Sequence, residues 1–83
     1  MAPTAEEWIA QFAEALGRPE PDAAEVQTLL ALASVAAHAS ERRAAPIACW
    51  LTALAGRSPA EGLALAEALS EATPPPEPAP PGR

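Results

Sequence analysis

The sequence contains no lysine and no tyrosine, and it has one cysteine, one histidine and one phenylalanine. A single cysteine excludes an internal disulfide bond. Five arginines against eleven acidic residues give a net charge of −6, and such a chain lacks the basic face that nucleic acids and anionic membranes require. We therefore expect no binding to nucleic acid and none to membranes.

Strand-forming residues and long apolar runs are also scarce. Valine and isoleucine total four, and no two-residue hairpin turn is present, so we expect no β-sheet. The longest stretch without a charged side chain, residues 26–40, contains polar residues and is too short to span a bilayer. The N-terminus has no basic segment followed by an apolar run, so we expect no secretory signal and a cytoplasmic protein.

Large apolar side chains are few as well. Alanine accounts for 23 residues, which is more than half of the hydrophobic ones. An alanine-rich core lets helices approach closely but buries little area, at about 25 cal/mol per Å². Roughly seventy residues precede the proline-rich end, and that length is marginal for a single core. Apolar surface should remain to be covered, and we predict at least a weak homodimer.

Helix signals, by contrast, recur along the chain. In a capping box, an N-terminal oxygen and a glutamate three residues later satisfy free amides, and this spacing occurs at Thr4–Glu7, Asp22–Glu25 and Ser58–Glu61. Gly17 and Gly56 are expected to end two helices in a left-handed conformation. Pro46 suits the first turn of the third helix. Helices are thus predicted from Thr4 to Leu16, from Asp22 to about Ala39, from the turn at Pro46 to Gly56, and from Ser58 to Glu71 or Ala72.

We predict an all-α fold, a compact four-helix bundle formed by residues 1–72. Residues 73–83 hold six of the eleven prolines and are expected to form a disordered proline-rich tail. Helix three has no charged side chain, and because such helices are usually buried, we predict that it is the central one. Gly62 should weaken helix four by ~1 kcal/mol relative to alanine.

Each predicted helix has an apolar face that we expect to form the core. The two tryptophans are interpreted as core anchors. The predicted core side chains are Trp8, Ile9, Phe12 and Leu16 in helix one; Val26, Leu29, Leu30, Ala33 and Ala37 in helix two, widened by Leu32, Val35 and Ala36; Ile47, Trp50, Leu51 and Leu54 in helix three; and Leu65, Ala66 and Leu69 in helix four.

Residues with catalytic or metal-binding chemistry are sparse. A zinc site takes three or four ligands, and His38 and Cys49 are the only strong candidates. Cys49 would need an adjacent base to act as a nucleophile, and because His38 lies on a different predicted helix, we interpret Cys49 as a packing residue. We expect no catalytic residue, no metal, no cofactor and no enzymatic activity.

The segment HASERRAAP, residues 38–46, has two interpretations. In the first, Arg42 and Arg43 precede helix three, whose free amides favour an anion, and they grip phosphate or carboxylate with His38 nearby. In the second, His38 and Arg42 bond the last carbonyls of helix two, and Arg43 pairs with Glu41 or with solvent. Spacing alone favours the second interpretation, a structural joint.

A resemblance to a known family indicates a functional context. The chain has the pattern AHxxxRxAAP, which it matches at His38, Arg42, Ala44, Ala45 and Pro46. Together with Trp8 and the glycine ends of helices one and three, the pattern resembles a small bacterial domain of unknown function. Members of that family occur alone or joined to a molybdopterin-guanine dinucleotide nucleotidyltransferase domain. The resemblance covers roughly residues 6–72, and Arg43 departs from it because proline is usual there.

These observations predict a non-enzymatic helical accessory or interaction module that acts through a protein partner. The resemblance implies a context in molybdenum-cofactor biosynthesis, with a molybdopterin-guanine dinucleotide nucleotidyltransferase or a molybdoenzyme as the partner. The alternative is a small domain that binds a phosphate-bearing ligand through His38, Arg42 and Arg43.

Overall fold

The structure is a computed structural model that describes residues 2–72. It contains four helices, α1 (Ala5–Ala15), α2 (Ala23–Ala39), α3 (Ala44–Leu54) and α4 (Pro59–Ala72), and no strand within those residues. The predicted all-α fold of four helices is confirmed. None of these helices is long and apolar enough to cross a membrane. The predicted proline-rich tail, residues 73–83, lies outside the described residues.

The three capping boxes form as predicted, and they determine where α1, α2 and α4 begin. At the start of α1, the Thr4 hydroxyl accepts a hydrogen bond from the Glu7 amide at 3.1 Å, and the Glu7 carboxylate accepts one from the Thr4 amide at 2.8 Å. The boxes at Asp22–Glu25 and Ser58–Glu61 repeat both bonds. Each box satisfies two amides that a helix start leaves without a partner.

Glycine ends α1 and α3, as predicted. Gly17 has a φ of 71° and Gly56 a φ of 74°, a left-handed conformation that is strained for residues with a side chain. After Gly17, the amide of Arg18 donates to the Ala13 carbonyl at 2.9 Å, and the residue after Gly56 makes the equivalent bond. These are Schellman motifs, which satisfy carbonyls at the end of a helix.

The helix at the centre of the molecule is α2. It packs along both α3 and α4, which touch each other over a shorter stretch. Its Leu32 is the most buried large side chain of the described residues, with 1% exposure. No Cα atom of α1 lies within 8 Å of a Cα in another described helix, so α1 lies at the margin of the bundle. The prediction that helix three is central is therefore wrong.

The inner face of α3 is the face with small side chains. The Cys49 sulfur lies 3.9 Å from the Leu29 carbonyl oxygen of α2, and Thr52 lies against Gly62 of α4. The lack of charge on α3 suggested burial, yet no residue of α3 is buried. The small face meets the rest of the bundle, and the face with the large side chains points outward.

Gly62 makes the contact between α3 and α4. It is buried, and a Cβ placed on it would lie 2.5 Å from Cγ2 and 2.7 Å from Oγ1 of Thr52. Glycine costs an isolated helix ~1 kcal/mol relative to alanine. In the packed molecule, however, the missing side chain is what lets the two helices approach.

Most of the large side chains predicted to form the core are exposed. The prediction that both tryptophans are core anchors is wrong, because Trp8 is 53% and Trp50 is 60% exposed. In α2, Leu30 was expected on the main core face but is 63% exposed. The other predicted core residues that are at least half exposed are Phe12, Leu16, Ile47, Leu51, Leu54, Leu65 and Leu69. The helices pack mainly through alanine and other small residues.

Candidate functional site

The predicted site residues His38, Arg42 and Arg43 lie where α2 passes into α3. His38 occupies the last turn of α2, and its ring Nδ1 lies 2.7 Å from the Ser34 carbonyl oxygen and 3.3 Å from the Ser34 hydroxyl oxygen. Because a carbonyl oxygen only accepts hydrogen bonds, Nδ1 carries the proton in this arrangement. The histidine ring is therefore held against its own helix, at a carbonyl one turn before the helix ends.

Arg43 immediately precedes α3 and pairs with an acidic neighbour. Its Nε donates to the Glu41 carboxylate at 2.6 Å, and the two side chains are 89% and 58% exposed, so the pair contributes little to stability. This pairing is the one that the structural interpretation expects. The shallow pocket beside Arg43 is lined by Ser40, Glu41, Ala44, Pro46 and Ile47, and His38 and Arg42 lie outside its lining. Anion binding by the three residues stays a prediction.

Cys49 is half-buried on the inner face of α3, and burial raises the pKa of its thiol. A thiol with a raised pKa is protonated at neutral pH and is a weak nucleophile. The sulfur faces the Leu29 carbonyl of α2, whereas His38 bonds to Ser34. The structure thus does not pair the cysteine with the histidine. Within residues 2–72, no three His, Cys, Asp or Glu side chains are grouped to hold a metal ion.

An apolar groove lies between α2, α3 and α4. The helices α3 and α4 meet closely at Thr52 and Gly62. The groove lies between the N-terminal part of α3 and the C-terminal half of α4, beside the C-terminal end of α2. Its volume is about 320 Å³. The groove is lined by Val35, Ala36, Ala39 and Ser40 of the α2 end, by Ala44, Ile47, Ala48 and Leu51 of α3, and by Ala66, Leu69 and Ser70 of α4.

The large side chains of the groove point into open space. Ile47 is 55%, Leu51 52% and Leu69 67% exposed, and the polar residues that line the groove are two serines. The sequence interpretation placed all three large residues in the core and so missed the groove. The sequence signal for it is the run of alanines on α2, because small side chains on facing helices leave a space that nothing else fills.

A second apolar surface, the α3 stripe, consists of Ile47, Trp50, Leu51 and Leu54. Their spacing of i, i+3, i+4 and i+7 places them on one helix face, and each is between 52% and 65% exposed. No charged residue occurs between Ala44 and Leu54. Ile47 and Leu51 also line the groove, whereas Trp50 and Leu54 do not.

A third apolar surface lies on α1. The rings of Trp8 and Phe12 stack, with centroids 5.0 Å apart, and both are at least half exposed, as is Leu16 one turn further along. A cavity of about 200 Å³ lies between α1 and the start of α2, with Ile9 and Val26 in its lining. The aromatic pair thus belongs to a helix that packs loosely on the bundle.

Comparison with known proteins places this four-helix unit in a family. A family model described as a domain of unknown function, DUF6457, matches residues 2–76. The chain belongs to the DUF6457 family. All four helices of this DUF6457 domain lie within the match, and the description carries no activity. No curated protein matches the chain, and no solved structure matches it.

Proposed function

We propose that this DUF6457 domain is a non-enzymatic interaction module that binds an apolar helix of a partner protein in the groove. The observation that carries the proposal is the exposure of the three large groove residues, Ile47, Leu51 and Leu69. Large apolar side chains gathered around a concave surface are typical of binding sites. An amphipathic helix uses such a groove by inserting side chains spaced three or four residues apart.

The lining of the groove favours a helix over a small molecule. Small-molecule sites have volumes of roughly 300–1,000 Å³ and a few placed polar groups that fix the ligand's orientation. The groove is at the lower end of that range, at about 320 Å³, and Ser40 and Ser70 are the polar residues that line it. A few apolar side chains of a helix fit this space and need no polar partners.

A non-enzymatic role is supported by the structural roles of the cysteine and of two glutamates. Cys49 has a thiol whose pKa is raised by burial, and it packs against α2. The carboxylates of Glu7 and Glu61, whose pKa values are lowered, serve as helix caps. Perturbed pKa values also arise in structural networks, and the carboxylates of Glu7 and Glu61 have such a role at two helix starts.

The resemblance of residues 38–46 to the AHxxxRxAAP pattern supports a particular partner class. We propose a molybdopterin-guanine dinucleotide nucleotidyltransferase or a molybdoenzyme, in the cytoplasm. The segment leads directly into α3, which supplies one wall of the groove. The alternative, an anion site at His38, Arg42 and Arg43, is less well supported, since Arg43 already pairs with Glu41 and His38 with Ser34.

Calorimetric titration with the purified nucleotidyltransferase from the same genome tests this proposal. We expect the wild-type chain to bind and Leu69→Glu to bind at least about tenfold more weakly, a loss of ~1.4 kcal/mol, because a carboxylate in the groove would lose its hydration. The matched control is Leu65→Glu on the same helix, because Leu65 is 58% exposed and lies outside the groove. Binding that Leu69→Glu leaves unchanged would overturn the groove as the site. The titration is repeated with molybdoenzymes before the partner class is abandoned.

A further inference from the structure

We infer that the chain forms a twofold homodimer in which the α3 stripes of two copies pack antiparallel. The inference rests on the proposed function only in treating exposed apolar surface as an interface. It concerns a surface that overlaps the groove at Ile47 and Leu51 and extends beyond it at Trp50 and Leu54. The composition, area, charge distribution and symmetry of the α3 stripe favour a second copy as its occupant.

The composition of α3 indicates a helix whose exposed face is covered by another polypeptide in the functional protein. It has no charged residue over its whole length, and none of its residues is buried within the chain. Helices that are apolar on all sides are normally buried. The i, i+3, i+4, i+7 spacing of the α3 stripe is that of a seam between two packed helices.

The exposed area of the stripe matches what a dimer requires. A standard interface buries about 800 Å² per partner, of which roughly 60% is apolar, or about 480 Å². An aromatic side chain buries on the order of 150–250 Å² and an aliphatic one somewhat less, and the four stripe residues, Trp50 and three aliphatic ones, are 52–65% exposed. The stripe therefore offers on the order of 400 Å² of apolar surface per copy, and its flanking small residues add the remainder.

Charge restricts where two copies are able to meet. Each chain carries a net charge of −6, so two copies repel wherever acidic faces approach. The stripe itself is uncharged. Along the chain, an ion pair follows or precedes each of its ends: Arg43–Glu41, with an N–O distance of 2.6 Å, and Arg57–Glu61, with an N–O distance of 3.5 Å. Antiparallel packing also sets the positive end of each α3 dipole beside the negative end of the other.

The order of residues in the stripe is self-complementary. A twofold axis midway between Trp50 and Leu51 brings Ile47 of one copy opposite Leu54 of the second copy. The same operation brings Trp50 of each copy opposite Leu51 of the other. Each large side chain then meets a large apolar side chain, and the same contacts are made twice, as a twofold interface requires.

Sedimentation of the full chain from about 1 μM to about 1 mM, a range that covers weak and moderate dimers, tests the inference. We expect a reversible dimer for the wild type and a monomer for Trp50→Glu, which should keep its helical circular dichroism because position 50 is 60% exposed. The matched control is Trp8→Glu, since Trp8 is 53% exposed and lies on α1; it should dimerise normally.

The antiparallel arrangement has a separate test in a Cys49→Ala background. Under mild oxidation, a mixture of Ile47→Cys and Leu54→Cys chains should form the mixed disulfide faster than either chain forms its own. Faster formation of like pairs would overturn the antiparallel arrangement. A wild-type monomer at every concentration, or a dimer lost in Trp8→Glu but kept in Trp50→Glu, would overturn the α3 dimer. Because Leu69 lines the groove and is not part of the α3 stripe, the partner titration with Leu69→Glu tests the groove separately.

Discussion

At the scale of single residues, small side chains decide how closely the helices approach. The Thr52 hydroxyl bonds to the Ala48 carbonyl at 2.9 Å, and both branches of the Thr52 side chain lie over Gly62. Cys49 occupies a comparable position against the backbone of α2. Gly62 has no room for a Cβ, so a single carbon added there should disturb the packing of α3 on α4.

Overpacked contacts cost about 1–3 kcal/mol, and after the gain in helix propensity we expect Gly62→Ala to destabilise the protein by up to about 2 kcal/mol. The added Cβ would lie 2.5 Å from Thr52 Cγ2, and this clash outweighs the ~1 kcal/mol gain in helix propensity. Thr52→Ala removes the two nearest atoms and leaves a Cβ at 3.1 Å, so the cost should fall in that background. Denaturant unfolding of the single and double variants measures this, and a Gly62→Ala protein more stable than wild type would contradict it.

At the scale of the helix, the capping boxes connect helix starts to pH. The pKa values of Glu7 and Glu61 lie below the ordinary value, mainly because the backbone amides of Thr4 and Ser58 donate hydrogen bonds to these carboxylates. A group with a lowered pKa in the folded state stabilises it above the unfolded pKa, near 4.3. That stabilisation is lost as the pH falls through the folded pKa. The caps are therefore at full strength at neutral pH and weaken in acid.

We expect Glu61→Ala to lower the melting temperature at pH 7 because it removes one half of the box that begins α4. The difference from wild type should shrink as the pH falls below about 4.3, the unfolded pKa, and through the lower pKa of the folded carboxylate. Melting followed by circular dichroism between pH 7 and pH 3 measures the difference. Glu67→Ala, in the exposed middle of α4, is the control. A difference that stays constant over this pH range would show that the cap does not depend on the charge of Glu61.

Most helix boundaries were predictable from the sequence because they depend on neighbours within a few residues, although α3 has no side-chain cap and begins at Ala44, two residues before Pro46. Asp22 caps α2 through Glu25, and Gly17 ends α1 through its own backbone conformation. Which face packs inward was not predictable in the same way. Cys49 and Trp50 are adjacent, yet the first faces α2 and the second faces outward. That choice depends on the surfaces of α2 and α4, which lie far away along the chain.

The same distinction, between contacts that are local in the sequence and packing between distant segments, applies to the candidate site. Of the local contacts of residues 38–46, the pairing of Arg43 with Glu41 was predictable from spacing. His38 bonds to its own helix, but at Ser34 and not at the last carbonyls of α2. The groove was not predictable from spacing, because it needs three helices at once. The three large residues of the groove are as apolar as core residues. They remain exposed to solvent only because the side chains around them are mostly alanines, which do not cover them.

At the scale of the whole molecule, apolar surface and charge act on association in opposite directions. Ten large apolar side chains of the described residues are at least half exposed, which favours association. A net charge of −6 opposes any contact between two copies. Since the α3 stripe is uncharged, salt should screen the repulsion without weakening any attraction across the interface.

We therefore expect the homodimer to become tighter as salt is added. The Debye length falls from about 30 Å at 0.01 M to about 8 Å at 0.15 M ionic strength, so the net negative charges of the two copies repel each other less. Sedimentation at these two salt concentrations should give a several-fold lower dissociation constant at the higher one. Sulfate should tighten the dimer further at equal ionic strength, because it strengthens apolar burial. Trp50→Glu should remain monomeric in both buffers, and a wild-type dimer that salt weakens would be held by ion pairs, contrary to an interface built on α3.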